Sequence, residues 1–357
     1  MLNKRQKEIY RDVLSLPTTP FHEEAVIAYI RNFCRRLKLP VQSDSFGNLK
    51  VQYKRGEGSP FVFVAHMDHP GFETVSVGSV GATVRLLGDV DPKQFLKAKI
   101  IFFSKGKKVK GKVTKKIGSY YRVTTKEEVD KKSFGSFDLP GCRFRKGKIY
   151  TRSANNLMEV STLLNVLELL VTKRKKGNIT CLFTRAEEHG FLGAIGASQN
   201  GFLPKSLPLI VLETSSSRLG WAKMGEGPVL RVGDKRASFS ADVDFWFQEV
   251  AERLARTNRS FQYQRKLLPG GSCESTVFVF RGRKTGCLSI PLGNYHNIGP
   301  KSYALEYVSQ KDVRGMILLL AALAAEGFSK RGVKALNSRL QKQFLKYSSY
   351  LKRTSHV

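Results

Sequence analysis

Four apolar runs in this sequence lead into a histidine or a carboxylate. "FVFVAH" closes on His66, "NITCLFTRAEE" on Glu187 and Glu188, "PLIVLE" on Glu213, and "GCLSIPLGNYH" on His296. Each run is short and rich in β-branched or aromatic residues, which reads as a buried strand. Helical periodicity falls between the later ones, in "FLGAIGASQ", "VDFWFQEVAERLA" and, after the last, "DVRGMILLLAALAAE". Such alternation demands a layered α/β domain around a mostly parallel sheet. In sheets of that kind the chemistry collects beyond the carboxyl ends of the strands, where these side chains can converge.

The pattern is interrupted once. An amphipathic helix over residues 22 to 37 buries Val26, Ile27, Ile30, Phe33, Cys34 and Leu37. The strands "SFGNLKVQY" and "FVFVAH" follow. From about 74 to 150 the text changes to short alternating strands ("ATVRLLG", "AKIIFF", "KKVKGKV", "YYRVTT") parted by glycine and lysine turns, which predicts a small β-barrel or sandwich inserted into the main domain. Helical spacing returns with Leu157, Val160, Leu163, Leu164, Leu167 and Leu170. The expected organisation is a discontinuous α/β domain over 1–73 and 151–328, an inserted β-domain over 74–150, and a basic helical tail over 329–357.

Charge bears on partners. The chain has 61 Lys+Arg against 29 Asp+Glu, a formal +32. The excess is concentrated in 81–150, with 19 basic and 6 acidic residues, and in 329–357, with 8 basic and none acidic. "FFSKGKKVKGKVTKK" and "CRFRKGK" interleave rings with cations, as a nucleic-acid surface does. Lysines along exposed strands also block edge pairing, so the charge supports nonspecific polyanion binding at most. The five cysteines form no CxxC pair, which fits a reducing cytoplasm better than a disulfide framework. "MLNKRQKEIYRDVL" lacks the apolar core of a secretory signal, and "MILLLAALAA" is too short to span a bilayer, so a cytoplasmic protein without a membrane segment is expected.

The candidate site residues carry different chemical promise. His66 and Asp68 project to one side of extended chain, so Asp68 can orient the imidazole toward a metal. Taken alone, this His-x-Asp is equally a solvated strand end. Adjacent Glu187 and Glu188 repel unless a cation or a shared proton relieves them, and one can bind metal while the other serves as general base. Glu213 and His296 each end an apolar strand. Either is ordinary by itself, and their common placement is what gives them weight.

These stretches, with "PTTPFHEEAVIAYI" and "SDSFGNL" before them and "YHNIGP" after, resemble the co-catalytic zinc aminopeptidases, the family of glutamyl, deblocking and tetrahedral (TET) aminopeptidases. The resemblance runs from about residue 7 to 326 and is most specific in "AHMDHPGF" and "EEHGFLGA". It implies a zinc-exopeptidase-type three-layer α/β domain, an inserted β-barrel used for homo-oligomeric assembly, and divalent metal, zinc, as one or two ions. It further implies that His66 and Glu213 bind one metal and Glu188 and His296 the other. Glu187 would be the general base, Asp68 would orient His66, and Glu274 in "GGSCESTVF" would lie where the family contacts substrate.

One position departs from the family. Where its members carry an Asp whose carboxylate bridges the metals, "TRSANNLMEVS" has Asn155, followed by Asn156. An amide presents one neutral oxygen and cannot deprotonate, so Asn155 is a weak ligand and a poor bridge. Glu159, one helical turn on, is expected on the solvent face. The sequence thus supports a metal-dependent aminopeptidase-like hydrolase acting on peptide N-termini, with a degraded or mononuclear site. The alternative is an inactive relative that binds peptides or serves structurally. A basic cleft would add a preference for acidic N-terminal residues.

Overall fold

The computed structural model describes residues 2–78, 81–104, 106–217 and 221–355. The main sheet runs in the order Val41–Ser43, Leu49–Arg55, Gly177–Thr184, Phe61–His66, Leu209–Ser216, Thr285–Gly293, Glu306–Ser309, Lys148–Thr151, Cys142–Arg145. The strands Gly177–Thr184, Phe61–His66, Leu209–Ser216 and Thr285–Gly293 are parallel neighbours, and the strands outside them pair antiparallel. Val229–Gly233 and Gln264–Leu267 extend the sheet beside Thr285–Gly293.

Strand alternation sorts the core into two layers. Phe61, Phe63 and Ala65 pack with Ile210, Leu212, Leu288 and Ile290 against helices Lys4–Val13, Leu157–Thr172, Ala241–Thr257 and Gln310–Glu326. Val62, Val64, Leu209 and Val211 face the opposite way, onto the short helices Leu192–Gln199 and Glu274–Phe280. The result is the expected three-layer α/β domain, parallel through its centre. Trp246, with no exposed surface, wedges edge-on against Phe61 and Phe328 and closes the larger core.

The inserted strands form a closed antiparallel barrel, with Gly71–Gly78, Gly81–Leu87, Tyr120–Thr125, Lys107–Ile117, Lys99–Ser104 and Phe134–Phe137 in order round it. Its boundaries differ from the sequence expectation of 74–150. The barrel begins at Gly71 and ends at Phe137, while the hairpin 142–151 pairs through Lys148–Thr151 with Glu306–Ser309 in the main sheet. Gly71 is required where the chain crosses between the two bodies, because a Cβ there would collide with the carbonyl of Gly135 and the hydroxyl of Thr19.

Val109 and Val113 point into the barrel while Lys108, Lys110 and Lys112 point out. The rings of "FFSKGKK" are not free to stack on bases: Phe102 is core, and Phe103 lies half-buried against Phe134. The tail forms helix Arg331–Thr354, which buries no residue and exposes Leu340, Phe344, Tyr347 and Leu351. Among the described residues no helix is long and apolar enough to cross a membrane.

The barrel core centres on Phe72, whose ring meets Phe102 and Phe95 at centroid distances of 5.0 and 5.7 Å. Phe72→Ala is expected to cost about 3–5 kcal/mol in a denaturant titration, through lost transfer energy plus a cavity. A loss under about 1 kcal/mol would show that the barrel repacks around the gap.

Candidate metal centre and its cleft

Parallel register brings the strand ends together. Two residues past the paired positions Val64 and Val211 come His66 and Glu213, side by side, and Thr184 pairs with His66 from the other neighbour. The chain leaves Thr184 through Arg185 and Ala186 into the turn Glu187–His189. Gly193 makes that turn possible, since a side chain there would strike the backbone of Arg185.

Asp68 organises this corner. One carboxylate oxygen lies 3.2 Å from His66 Nδ1 and accepts the Glu187 amide at 3.0 Å, while the other accepts the Glu188 amide at 3.0 Å. With Nδ1 directed at Asp68, His66 presents Nε2 inward. That Nε2 stands 3.5 Å from Glu187 Oε2 and 3.9 Å from Glu213 Oε1. Nε2 and Glu213 Oε1 are buried and have no hydrogen-bond partner. The three ligand atoms lie within 4.8 Å of one another, a spacing that a single divalent cation would draw together.

The second pair of expected ligands is arranged otherwise. Glu188 Oε1 and His296 Nε2 are 3.1 Å apart, and the side-chain nitrogen of Asn155 sits between them. It donates to Glu188 Oε1 at 2.6 Å and lies 3.0 Å from His296 Nε2, while Asn155 Oδ1 accepts from the Thr214 hydroxyl at 3.0 Å. A carboxylate only accepts, so this orientation of the amide follows from its neighbours. A donor group thus occupies the space between Glu188 and His296 that a second cation would need. The group therefore suits one ion with His66 and Glu213 as its ligands and Glu187 beside it, and Glu188, Asn155 and His296 as arranged do not fit a second.

Several residues that shape the site were not found by sequence reasoning. Glu306, fully buried, accepts the backbone N–H groups of Ala154 (2.6 Å), Asn155 (3.2 Å) and His296 (2.8 Å), tying two loops to one carboxylate. Its signal was an acid inside the apolar "YALEYVS". Asp89, from the barrel side, offers its carbonyl to His296 Nδ1 at 3.1 Å, and only the fold brings these together. Asn156 donates to the Leu212 carbonyl at 2.8 Å. Ala186, Phe191, Asn294, His296 and Asn297 all have positive φ, so unfavourable backbone is concentrated around the site, at a cost of about 1–3 kcal/mol each.

Two expectations are corrected. Glu159 is fully buried rather than on the solvent face, and neither of its oxygens has a partner. Burial, then the charge of Glu213, holds its carboxyl well above the usual range. The expected substrate contact at Glu274 is not made, because Glu274 is fully buried at the start of its helix. Burial pushes its carboxyl up to about 7, against the pull of His66. Both acids lie behind the cleft wall, since the apolar helices that carry them pack inward.

The open cleft has a volume of about 430 Å³. Asp89, Glu187, Glu188 and Glu213 line it, with Arg231 and His296 as the basic wall residues among those described. Its floor is acidic, contrary to the basic cleft that the net charge suggested. Burial pushes Glu213 up to about 8, opposed by His66, and raises Glu187 well above the usual range. For His66 and His296 burial alone acts downward, but facing carboxylates outweigh it, chiefly Glu187 for His66 and Glu188 for His296, which reaches about 10.

All four groups hold protons in the folded chain that the unfolded chain releases, so this stabilisation is present at acid pH and lost as pH rises through their folded values. The metal-free protein should therefore lose thermal stability between about pH 5 and 8, and Glu213→Gln should flatten the slope. Calorimetry in chelator checks this; a midpoint that climbs over that range would contradict the assignment.

Comparison with known proteins places this geometry. A sequence model of the M42 glutamyl aminopeptidases matches residues 121–307, more than half of the chain. The fold is similar to the TET1 peptidase of Pyrococcus horikoshii, with a TM-score of 0.76 at 23% identity over 90% of this chain and 99% of that one. It is also similar to an aminopeptidase of the archaeon Desulfurococcus kamchatkensis, with 0.75 at 19% over 91% and 95%. A TET aminopeptidase of a marine sediment thaumarchaeon gives 0.77 at 17% over 90% and 97%. With its family segment spanning the strand ends that carry Glu187, Glu188, Glu213 and His296, the chain belongs to the M42 glutamyl aminopeptidase family.

Proposed function

We propose that this protein is a metal-dependent hydrolase that removes residues from peptide N-termini, using one divalent cation, zinc, held by His66 and Glu213. The observation that carries this reading is a pair of buried polar atoms without hydrogen-bond partners, His66 Nε2 and Glu213 Oε1, the second on a residue that lines the open cleft. A cation bound there polarises a scissile carbonyl and acidifies water. Asp68 keeps the His66 imidazole aimed. Glu187, whose proton affinity burial raises, can accept a proton at neutral pH and hand it on to a leaving amine. The carboxylates of the floor suit the ammonium of a peptide N-terminus better than an acidic first side chain, which replaces the expected preference for Glu or Asp there.

A second reading, peptide binding without turnover, has its own support in the Asn155 amide, which already lies between Glu188 and His296. Assembly into a homo-oligomer through the barrel is part of the first reading. It is supported by the P. horikoshii TET1 peptidase, which can assemble into a tetrahedron or a large octahedral shell.

Purified protein dialysed against zinc should hold about one ion per chain by plasma mass spectrometry, and Asn155→Asp should raise this to about two. Wild type with no metal would sink the one-ion site. On amino-acid anilides, Glu187→Gln should lower kcat by about 10²–10⁴-fold with the metal content kept. Metal-loaded wild type that binds peptides but turns over no substrate would favour the binding protein.

A further inference from the structure

A second and larger concavity, about 1060 Å³, adjoins the cleft. The turn Gly270–Ser272 lines both, so the two form one continuous surface. Arg231 fixes that turn from inside, its guanidinium donating to the carbonyls of Gly271 at 3.1 Å and Leu268 at 3.3 Å. The lining changes across it. The cleft floor is lined by carboxylates, whereas the trough beyond is lined by Lys205, Lys235, Arg236, Arg281 and Arg283 and by no acidic residue among those described.

These five cations lack counter-ions. None of them makes an ion pair within 4 Å among the described residues. Arg283 is only 8% exposed, yet its guanidinium meets carbonyls alone, those of Pro204 at 2.8 Å and Leu207 at 3.3 Å, and its Nε has no partner. The acid nearest to Lys235 and Arg236 in sequence, Asp234, is buried and already accepts from the amides of Arg236, Ala237 and Cys273 and from the Thr276 hydroxyl. Gathering unpaired cations in a concave surface is unfavourable through mutual repulsion and focuses a positive potential there. An anionic ligand relieves both effects.

We propose that the trough receives the downstream part of an acidic peptide whose free N-terminus lies in the carboxylate cleft. The protein thereby selects peptides by acidic residues beyond the first ones rather than by the residue it would release. The inference rests on the peptide N-terminus reading above. An extended chain running from the ammonium seat over the Gly270–Ser272 turn passes from a carboxyl-lined cleft to a trough of cations, so a peptide with a cationic start and an anionic continuation matches both ends. A peptide of reversed polarity matches neither.

The test measures binding by fluorescence anisotropy in the zinc-supplemented full-length chain, with peptide integrity followed by mass spectrometry. The peptides are Ala-Ala-Glu-Glu-Glu-Glu, its Gln and Lys counterparts, and its N-acetylated form, each labelled at the C-terminus. The acidic peptide should bind on the order of tenfold more tightly than the Gln peptide, and the Lys peptide more weakly than either. Lys235→Glu with Arg281→Glu should abolish the difference, while Lys346→Glu with Lys352→Glu on the C-terminal helix should leave it. Acetylation should weaken the acidic peptide. Equal binding of acidic and Gln peptides, equal loss in both charge-reversed variants, indifference to acetylation, or equal displacement by a single-stranded oligonucleotide would each overturn the proposal. Absence of cleavage with this binding order intact would instead overturn only the hydrolase reading.

Discussion

Buried carboxylates govern this structure. Glu159, Glu187, Glu213, Glu274 and Glu306 are all nearly or fully inaccessible and crowd around His66 and His296. In surroundings of low dielectric so many negative charges cannot coexist without protons, cations or hydrogen bonds to relieve them. The fold supplies each remedy in turn. Glu306 and Asp68 are answered by backbone N–H groups, Glu188 by an amide and an imidazole, and Glu159 by remaining protonated. His66 Nε2 and Glu213 Oε1 are left without hydrogen-bond partners, beside a cleft that Glu213 lines.

The sequence exposed the parts of this arrangement that are periodic. Apolar strands ending in His66, Glu188, Glu213 and His296 pointed to a parallel sheet with its site at the carboxyl edge, and parallel register does bring His66 and Glu213 together. The barrel was legible from its alternation. Its far boundary was not, because the hairpin 142–151 has the same alternation and differs only in its partner, Glu306–Ser309. Pairing partners are tertiary information, and a strand pattern does not carry them.

Polar residues buried by tertiary contacts were likewise illegible. Glu159 occupies a position that local spacing assigns to either face of its helix, and only the burial of every residue from Leu157 to Leu167 settles it inward. Net charge misled about the cleft for a related reason. A formal +32 describes the chain as a whole, whereas a cleft senses the few side chains that face it. Asn155 was recognised as a departure, but not that its amide would turn a donor toward Glu188 and His296.

The carbonyl of Asp89 on His296 Nδ1 ties the barrel to the main sheet at the site itself. The Gly88 backbone also packs closely on Pro70 and the base of Glu188. The barrel is thus more than an appendage: it is a lever whose short arm ends on an imidazole. The loop that leaves the barrel at Gly88 and Asp89 is therefore part of the wall of the site, and the imidazole of His296 is held by both bodies of the fold.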